Sequence, residues 1–256
     1  MTVPSRQTVP VLQAAIDAVH WHEALSRIAA WAARHESRYV CICNAHSVVT
    51  AGQDPAFGKV VAEADMATPD GAPVAWMIRK LGFKDQQRIN GPDLMWRYCA
   101  QAAQRNESIY LYGGTPETLV ILQARLAQEF PALLVAGAYS PPYRALTALE
   151  DAAAVDRIND SGAGTVWVSL GCPKQELWMA AHRGRINAVM VGVGAAFDYH
   201  AGTIQRAPLW MQNAGLEWLH RLASEPRRLW RRYFVTNTLF ILGAARQLLR
   251  KNGRRQ

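Results

Sequence analysis

The sequence predicts an α/β fold: a Rossmann-like parallel sheet with helices on both faces, followed by a basic helical C-terminal appendage. Strand-like runs alternate with helix-like segments of 10–15 residues, which is typical of βαβ units. The runs at 133–137 and 188–193 lack polar alternation, as expected for strands buried on both faces. Beyond residue 209 the strand pattern stops, and Trp, Arg and Leu dominate.

The first half of the chain supplies most of these elements. Residues 11–34 are rich in Ala, Leu, Ile and Trp and predict one helix, and 39–43 predict a strand that buries its two cysteines. Thr-Pro-Asp-Gly at 68–71 is a turn signal, because proline fixes φ and glycine permits positive φ. Thr115 is a helix cap with Pro116 at the first helical position. The other expected elements are helices at 56–64, 91–106, 115–128, 150–159 and 174–183 and strands at 108–112, 133–137, 165–170 and 188–193.

The last segment predicts two helices, at 215–223 and 226–243. Residues 235–245 are uncharged, but eleven residues are too few to cross a bilayer. The second helix could therefore lie in a membrane interface, or dock on the α/β body by burying Phe234, Ile241 and Leu248.

Composition limits the class of protein. The chain has 256 residues, of which half are apolar and 19% charged, which excludes a disordered protein and allows one large domain. No run approaches the roughly 18 apolar residues of a spanning helix, and residues 1–10 lack the apolar centre of a secretory signal. We therefore expect a cytoplasmic protein.

Charge divides the chain into two parts. Residues 1–202, the expected α/β domain, have a net charge of −1, whereas residues 203–256, the expected helical appendage, have a net charge of +9. Such asymmetry indicates an anionic partner, either nucleic acid, a membrane surface or a phosphorylated substrate, unless the tail is simply solvated.

Candidate chemistry is concentrated in the loops that follow the strands, where parallel sheets bind ligands. Four such loops, at 44–47, 113–116, 171–175 and 194–198, carry suggestive residues, but none has a P-loop or dinucleotide-binding pattern. Asp70, His46 and His200 are candidate general bases. Arg88 could bind a phosphate or carboxylate, or form a surface pair with Asp93. The four cysteines lack the spacing of a zinc site and no Asp-x-Asp pair is present, so no metal is inferred.

These motifs together resemble the WecG/TagA/CpsF glycosyltransferase family. They follow the family order over roughly residues 40–233, and the Pro-Lys-Gln-Glu box and the stretch from Gly-Leu-Glu-Trp to Glu-Pro-Arg-Arg are the most specific. The matching pieces are Thr-Pro-Asp-Gly at 68–71, Arg-Ile-x-Gly-x-Asp-Leu at 88–94, Leu-Tyr-Gly-Gly-x-Pro at 111–116, Leu-Gly-x-Pro-Lys-Gln-Glu at 170–176, Val-Gly-x-x-Phe-Asp at 193–198, Arg-Ala-Pro-x-Trp-Met-Gln at 206–212, Gly-Leu-Glu-Trp-Leu-x-Arg-Leu at 215–222 and Glu-Pro-Arg-Arg at 225–228.

The resemblance implies a peripheral enzyme at the inner face of the bacterial membrane. The family transfers a sugar from a UDP-sugar to a polyprenyl-diphosphate-linked saccharide, with inversion and without a metal or other cofactor. The donor would be UDP-N-acetylmannosamine, its uronic acid or UDP-glucose, and homo-oligomerisation is left open. Two alternatives remain, a catalytically inactive membrane-associated scaffold and a nucleic-acid-binding protein; the balanced body and the Trp-rich and Leu-rich tail argue against the second.

The resemblance also implies roles for individual residues. Asp70 matches the family's proposed base, and Arg88 and Gln175 match residues proposed to engage the donor or acceptor. Asn44 matches a loop asparagine, Asp198 matches a residue near the nucleotide, and the arginines thought to close over the site are Arg221, Arg228 and Arg231. Seven-residue and three-residue spacings put these arginines on one side of a continuous helix, a register that Pro226 would interrupt.

Two positions depart from the family pattern. Ile42 stands where a threonine is frequent, so a hydroxyl contact to donor or acceptor is missing there. Cys172 stands where serine or threonine is common, and we interpret it as a small residue rather than a nucleophile, because an inverting displacement needs none.

Overall fold

The computed structural model describes residues 6–253, so Arg254 and Arg255 of the basic tail lie outside the described residues. The strands are β1 (Thr8–Val11), β2 (Ala14–Asp17), β3 (Arg38–Cys43), β4 (Met66–Pro69), β5 (Ser108–Gly113), β6 (Leu134–Tyr139), β7 (Thr165–Ser169) and β8 (Val189–Gly192). The helices are α1 (Trp21–Ala32), α2 (Ala45–Gln53), α3 (Pro55–Glu63), α4 (Ala72–Leu81), α5 (Gly91–Arg105), α6 (Pro116–Glu129), α7 (Ala148–Asp160), α8 (Lys174–His182), α9 (Ala196–Ala201), α10 (Leu209–Asn213), α11 (Glu217–Ser224) and α12 (Pro226–Gly253).

Six strands form one parallel sheet in the order β4-β3-β8-β7-β5-β6. Strand residues alternate between two cores: Tyr39, Cys41 and Cys43 face one, whereas Val40 and Ile42 face the other. The first core is covered by α2, α3, α4, α7 and α8, and the second by α1, α5, α6 and α9. The predicted Rossmann-like α/β class is therefore confirmed, as is burial of the two strand cysteines.

The prediction of one helix over 11–34 is wrong in its first half. Residues 8–17 form the antiparallel hairpin β1–β2, and α1 begins only at Trp21. The hairpin alternates exposed and buried positions along β1, which is the strand period of two. The turn at Leu12 adopts a positive φ of 54° without a glycine or asparagine, so the usual turn signal is missing from the sequence.

The sheet edges also differ from expectation. Strand β6 lies at one edge with Leu134 half exposed, so the prediction that the run at 133–137 is buried on both faces is wrong, whereas central β8 is buried throughout. At the other edge, Thr68 and Pro69 end strand β4 rather than forming a free turn. An edge strand tolerates Pro69, because proline has no backbone N–H to donate to the hydrogen bonds of the sheet.

The appendage helices α11 and α12 pack together, and α12 also packs on α2 and α4. Helix α12 docks on the body, and of the three residues predicted to be buried, Leu248 is partly buried and packs against the core. Leu229, Thr236, Phe240 and Ala244 are buried. In contrast, Phe234 and Ile241 are 72% and 65% exposed, so predicting their burial was wrong.

A buried carboxylate fixes the N-terminal hairpin to the sheet. Asp17 is 1% exposed, and its side chain accepts hydrogen bonds from Arg6 Nε at 3.0 Å and from Ala67 N in β4 at 2.5 Å. The same guanidinium donates to the carbonyl oxygens of Ala62 and Ala64. Because strand β4 leads directly to Asp70, this contact supports the edge of the sheet on which that residue is placed.

Asp17→Ala should lower the free energy of unfolding by about 3 kcal/mol, because it leaves the Ala67 N–H and the Arg6 guanidinium without their acceptor. Urea-induced unfolding followed by circular dichroism measures the change. Glu63→Ala is the matched control, since it removes the exposed Lys59–Glu63 pair and should cost less than about 0.5 kcal/mol. Equal losses in the two variants would contradict the role given to Asp17.

Candidate active site

A cavity of about 980 Å³ lies across the carboxyl ends of β3, β4, β7 and β8 and beneath α11 and α12. Its floor includes residues that directly follow those strands, among them Asn44, Asp70, Gly171 and Gly194. Carboxyl ends of parallel strands meet at one edge of a sheet, where open α/β folds bind ligands. The volume is within the range of sites for small molecules and cofactors.

Asp70 lies at the first position after β4, and its backbone N–H donates to the Cys43 carbonyl oxygen at 2.9 Å. The carboxylate lines the cavity. Burial raises the pKa of Asp70 to about 6, against the opposing charge of Arg88. A carboxylate with a pKa near 6 is ionised at pH 7 and more basic than an exposed aspartate, as a general base requires.

Arg88 does not pair with Asp93, so that reading of the sequence is wrong. Arg88 instead contacts the Glu217 carboxylate of α11. Arg206 approaches the same carboxylate at 3.4 Å and donates to Asp93 Oδ1 at 2.5 Å. The ion-pair chain Arg88–Glu217–Arg206–Asp93 thus connects the body to the appendage beside Asp70.

Three arginines of the appendage complete the cationic wall of the cavity, to which Arg88 and Arg206 also belong. Arg221 of α11 and Arg228 of α12 both contact Glu225, which lies between the two helices. Arg232 lines the cavity one turn beyond Arg228 and forms no ion pair with any residue in the described part of the chain. Burial lowers the pKa of its guanidinium from the ordinary value.

Arg231 does not line the cavity. It is exposed, with its guanidinium 5.9 Å from the centre of the Trp230 ring. The predicted alignment of Arg221, Arg228 and Arg231 assumed one continuous helix, but α11 ends at Ser224 and α12 begins at Pro226. Within α12 the residue that shares the cavity-facing side with Arg228 is its i+4 neighbour, Arg232.

Asn44 caps α2 from the end of β3. Its side-chain oxygen accepts from the backbone N–H groups of His46 and Ser47 at 2.9 and 3.2 Å. The oxygen is therefore engaged in capping, and the amide nitrogen remains for a ligand. Ile42, two residues earlier, lines the same cavity, so this part of the wall is apolar where a threonine would place a hydroxyl.

Gln175 lines the cavity with both of its polar ends engaged. Its Oε1 accepts from Gly194 N at 3.0 Å, and its Nε2 donates to Glu176 Oε1 at 2.9 Å. The side chain is 3% exposed. A Cβ on Gly192 would lie 3.0 Å from this amide, so glycine is needed for their close approach. Gln175 therefore holds the loop after β8 in place.

Cys172, His46 and His200 are the remaining candidates for nucleophilic or acid–base chemistry. Burial raises the pKa of Cys172 to about 12, so its thiol is protonated at pH 7 and is a poor nucleophile. His46 lines the cavity, but burial lowers its pKa to about 4, which makes it a weaker base than Asp70. His200 lies outside the cavity, where it contacts the Pro92 carbonyl oxygen at 2.9 Å and stacks on Trp96.

Two more expected positions lie away from the cavity. Asp198 is in α9, and its carboxylate interacts with the Thr203 hydroxyl at 3.4 Å. The loop at 113–116 contributes no lining residue. Among residues 6–253, no group of three His, Cys, Asp or Glu side chains is placed to hold a metal ion.

Sequence reasoning did not single out Arg206, Glu217 and Arg232 as site residues. Arg206 and Glu217 lie within motifs that resemble the family. Sequence reasoning considered only the cations, so it did not predict that the acid Glu217 would pair with Arg88 and Arg206. The signal for Arg232 is the start of α12 at Pro226, because counting from that point gives the i+4 neighbour of Arg228.

The comparison with protein families covers nearly the whole chain. A family model described as the glycosyl transferase WecG/TagA/CpsF family matches residues 9–254, from the first strand of the hairpin into the end of α12. The match includes the strand ends and the appendage arginines that form the cavity. The chain therefore belongs to the WecG/TagA/CpsF glycosyltransferases, which act in cell-surface polysaccharide biosynthesis with a sugar donor and an acceptor substrate.

Proposed function

We propose that this enzyme transfers a sugar, with inversion, from a UDP-sugar to a polyprenyl-diphosphate-linked saccharide in bacterial surface polysaccharide biosynthesis. One observation carries the proposal: a carboxylate of raised pKa and a wall of five arginines line the same cavity. Donors of the UDP-N-acetylmannosamine, uronic acid or UDP-glucose type all bear the diphosphate that such a wall would bind.

Asp70 acts as the general base. It takes the proton of the acceptor hydroxyl while that oxygen attacks the anomeric carbon of the donor sugar. The bond between the anomeric carbon and the β-phosphate oxygen breaks on the opposite side, and UDP leaves as an anion. One carboxylate is sufficient, because no covalent sugar–enzyme intermediate forms.

The arginines stabilise the charge that develops on the departing β-phosphate. Guanidinium groups match phosphate oxygens in a forked geometry, and fixed cations in a partly dry cavity stabilise a transition state strongly. Arg232 is the arginine best suited to this role, since it is half buried and the other four already contact a carboxylate. We propose that this wall acts without a metal, so that transfer persists in EDTA.

Membrane association is proposed for the outer side of the appendage. Among residues 6–253, no helix has the length and apolar character to cross a bilayer. Leu209, Trp210, Trp230 and Phe234 are nevertheless between 55% and 73% exposed. Exposed apolar side chains next to arginines are typical of helices that lie in a membrane interface, and each cation near an anionic surface adds about 1 kcal/mol.

The inactive-scaffold and nucleic-acid alternatives are less well supported. An inactive scaffold would not need Asp70 in a cavity with Arg88 and Arg232. A nucleic-acid surface would present its cations outward, whereas five arginines of this chain line one cavity together with Asp70.

Asp70→Asn should lower kcat by about 10³-fold, because the amide cannot accept the acceptor's proton. The measurement is UDP release and mass spectrometry of the lipid product, using candidate UDP-sugars with polyprenyl-diphosphate-linked N-acetylglucosamine or glucose.

In the unmodified enzyme kcat/KM should rise with pH through about 6, as the Asp70 carboxylate ionises. Arg88 lowers this pKa, so Arg88→Gln should move the rise to higher pH. Full activity of Asp70→Asn would rule out the mechanism.

Arg232→Gln should reduce kcat/KM for the UDP-sugar by about 10²-fold, because it removes a cation from the leaving phosphate. Arg231→Gln is the matched control on the neighbouring residue, and it should change kcat/KM less than about twofold with a soluble acceptor. Steady-state transfer rates compare the two variants. A greater loss of kcat/KM in Arg231→Gln than in Arg232→Gln would contradict the assignment of Arg232 to the leaving phosphate.

The double variant Trp210→Ala/Phe234→Ala should weaken binding to vesicles by about tenfold, since it removes apolar area that the interface would bury. Co-sedimentation with vesicles of phosphatidylglycerol and phosphatidylcholine measures the partitioning. Leu149→Ala is the control, because Leu149 is 84% exposed on α7 of the body. Equal vesicle binding by the double variant and by Leu149→Ala would contradict membrane contact through the appendage.

A further inference from the structure

The cavity has two chemically different ends. The end beneath α11 and the start of α12 is cationic, whereas the other end is lined by apolar side chains of α4 and α12. The apolar lining consists of Pro73, Trp76, Phe240, Ile241, Ala245 and Leu248. We name this second part the apolar arm. From Arg232 to Leu248 the lining follows α12 for 16 residues, about 24 Å of helix axis.

Small side chains keep the apolar arm open. Ala72 on α4 and Ala244 and Ala245 on α12 face the cavity, and each presents only a methyl group. Gly215 also lines the cavity beside α4, with a φ of 73°, and an added Cβ would come within 2.6 Å of the Ala72 Cβ. Larger residues at these positions would close the space between the two helices.

The arm exposes apolar surface that the protein leaves uncovered. Trp76 is 40% exposed and Ile241 is 65% exposed, and both line the arm. A sugar nucleotide has no hydrocarbon that could cover this surface. The cationic end and the apolar arm of one continuous cavity together match an amphiphile whose anionic head is joined directly to a hydrocarbon chain.

We propose that the apolar arm binds the isoprene units next to the diphosphate of the lipid-linked acceptor. The inference rests on the function proposed above and adds the part of the enzyme that binds the isoprenoid chain of the acceptor. The acceptor's diphosphate lies where the arm meets the cationic end, next to the departing UDP, and the isoprenoid chain runs between α4 and α12 towards the exposed side of α12. The acceptor would then enter from the membrane with its saccharide directed towards Asp70.

The probe is farnesyl diphosphate, compared with inorganic diphosphate by isothermal titration calorimetry on the full chain. The unmodified protein should bind farnesyl diphosphate at least about tenfold more tightly, because burial of the isoprenoid adds hydrophobic stabilisation. Ala245→Trp should fill the arm and reduce this preference to below about twofold, with inorganic diphosphate binding unchanged.

Leu242→Trp is the matched control, since Leu242 is 62% exposed on α12 and does not line the cavity. It should keep the full preference for farnesyl diphosphate. Ile241→Ser provides a second variant that removes arm surface without adding bulk, and it should weaken farnesyl diphosphate binding about threefold. Because Ile241 is exposed, this substitution does not disturb the core.

The proposal is overturned if the unmodified protein shows no preference for farnesyl diphosphate, or if Ala245→Trp and Leu242→Trp behave alike. It is also overturned if Ala245→Trp weakens UDP binding as strongly as farnesyl diphosphate binding, because the arm would then hold the nucleotide. None of these measurements requires sugar transfer, so failure of the proposed reaction would be seen separately as absence of UDP release in the unmodified enzyme.

Discussion

The site depends on two glutamates that allow five arginines to share one cavity. Like charges at such short range repel, and partly buried guanidinium groups lose hydration, so an unpaired cluster would open the appendage away from the body. Glu217 contacts Arg88 of the body and Arg206, and Glu225 contacts Arg221 and Arg228. Each acid therefore offsets two cations and also joins separate parts of the chain.

This arrangement links substrate binding to the geometry of the site. A diphosphate offers the arginines more acceptor oxygens and more charge than a single carboxylate. A diphosphate bound as proposed would compete with Glu217 for Arg88 and Arg206, the residues that connect α11 to the body. The same contact sets the electrostatics at Asp70, because Arg88 lowers the pKa of that carboxyl and Glu217 raises it. Under the proposed function, charge at the base, the contact of the appendage with the body and phosphate binding are thus parts of one network.

Local chemistry explains which parts of the fold could be predicted from the sequence. Strands such as β7 and β8 are buried on both faces, and Thr115 caps α6 through the Thr118 N–H, so pattern and structure agree. The hairpin at 8–17 was missed because its turn at Leu12 has no glycine, and because its alanines and leucine are equally compatible with helix. The edge position of β6 follows from the strand order, which no local pattern contains.

The same distinction applies to the site residues. Asp70, Asn44 and Gln175 follow strands, and the meeting of parallel strand ends brings such positions together whatever the loops contain. No comparable rule predicts where the appendage arginines point. The directions of their side chains depend on the helix break at Glu225, where the backbone departs from helical values with a φ of −133°. A shift of one residue along α12 turns a side chain by about 100°, which is enough to move it from the cavity to solvent. That rotation distinguishes Arg231 from Arg232.

Gln175 shows how a residue can shape a cavity by holding a neighbouring loop. Its amide joins the Gly194 N–H to the buried Glu176, whose second oxygen has no hydrogen-bond partner among the described residues. Burial raises the pKa of Glu176, which favours the protonated form, and a protonated carboxyl leaves no isolated charge behind the cavity. The loop after β8 is therefore held through Gln175 to a carboxyl whose burial disfavours the charged form.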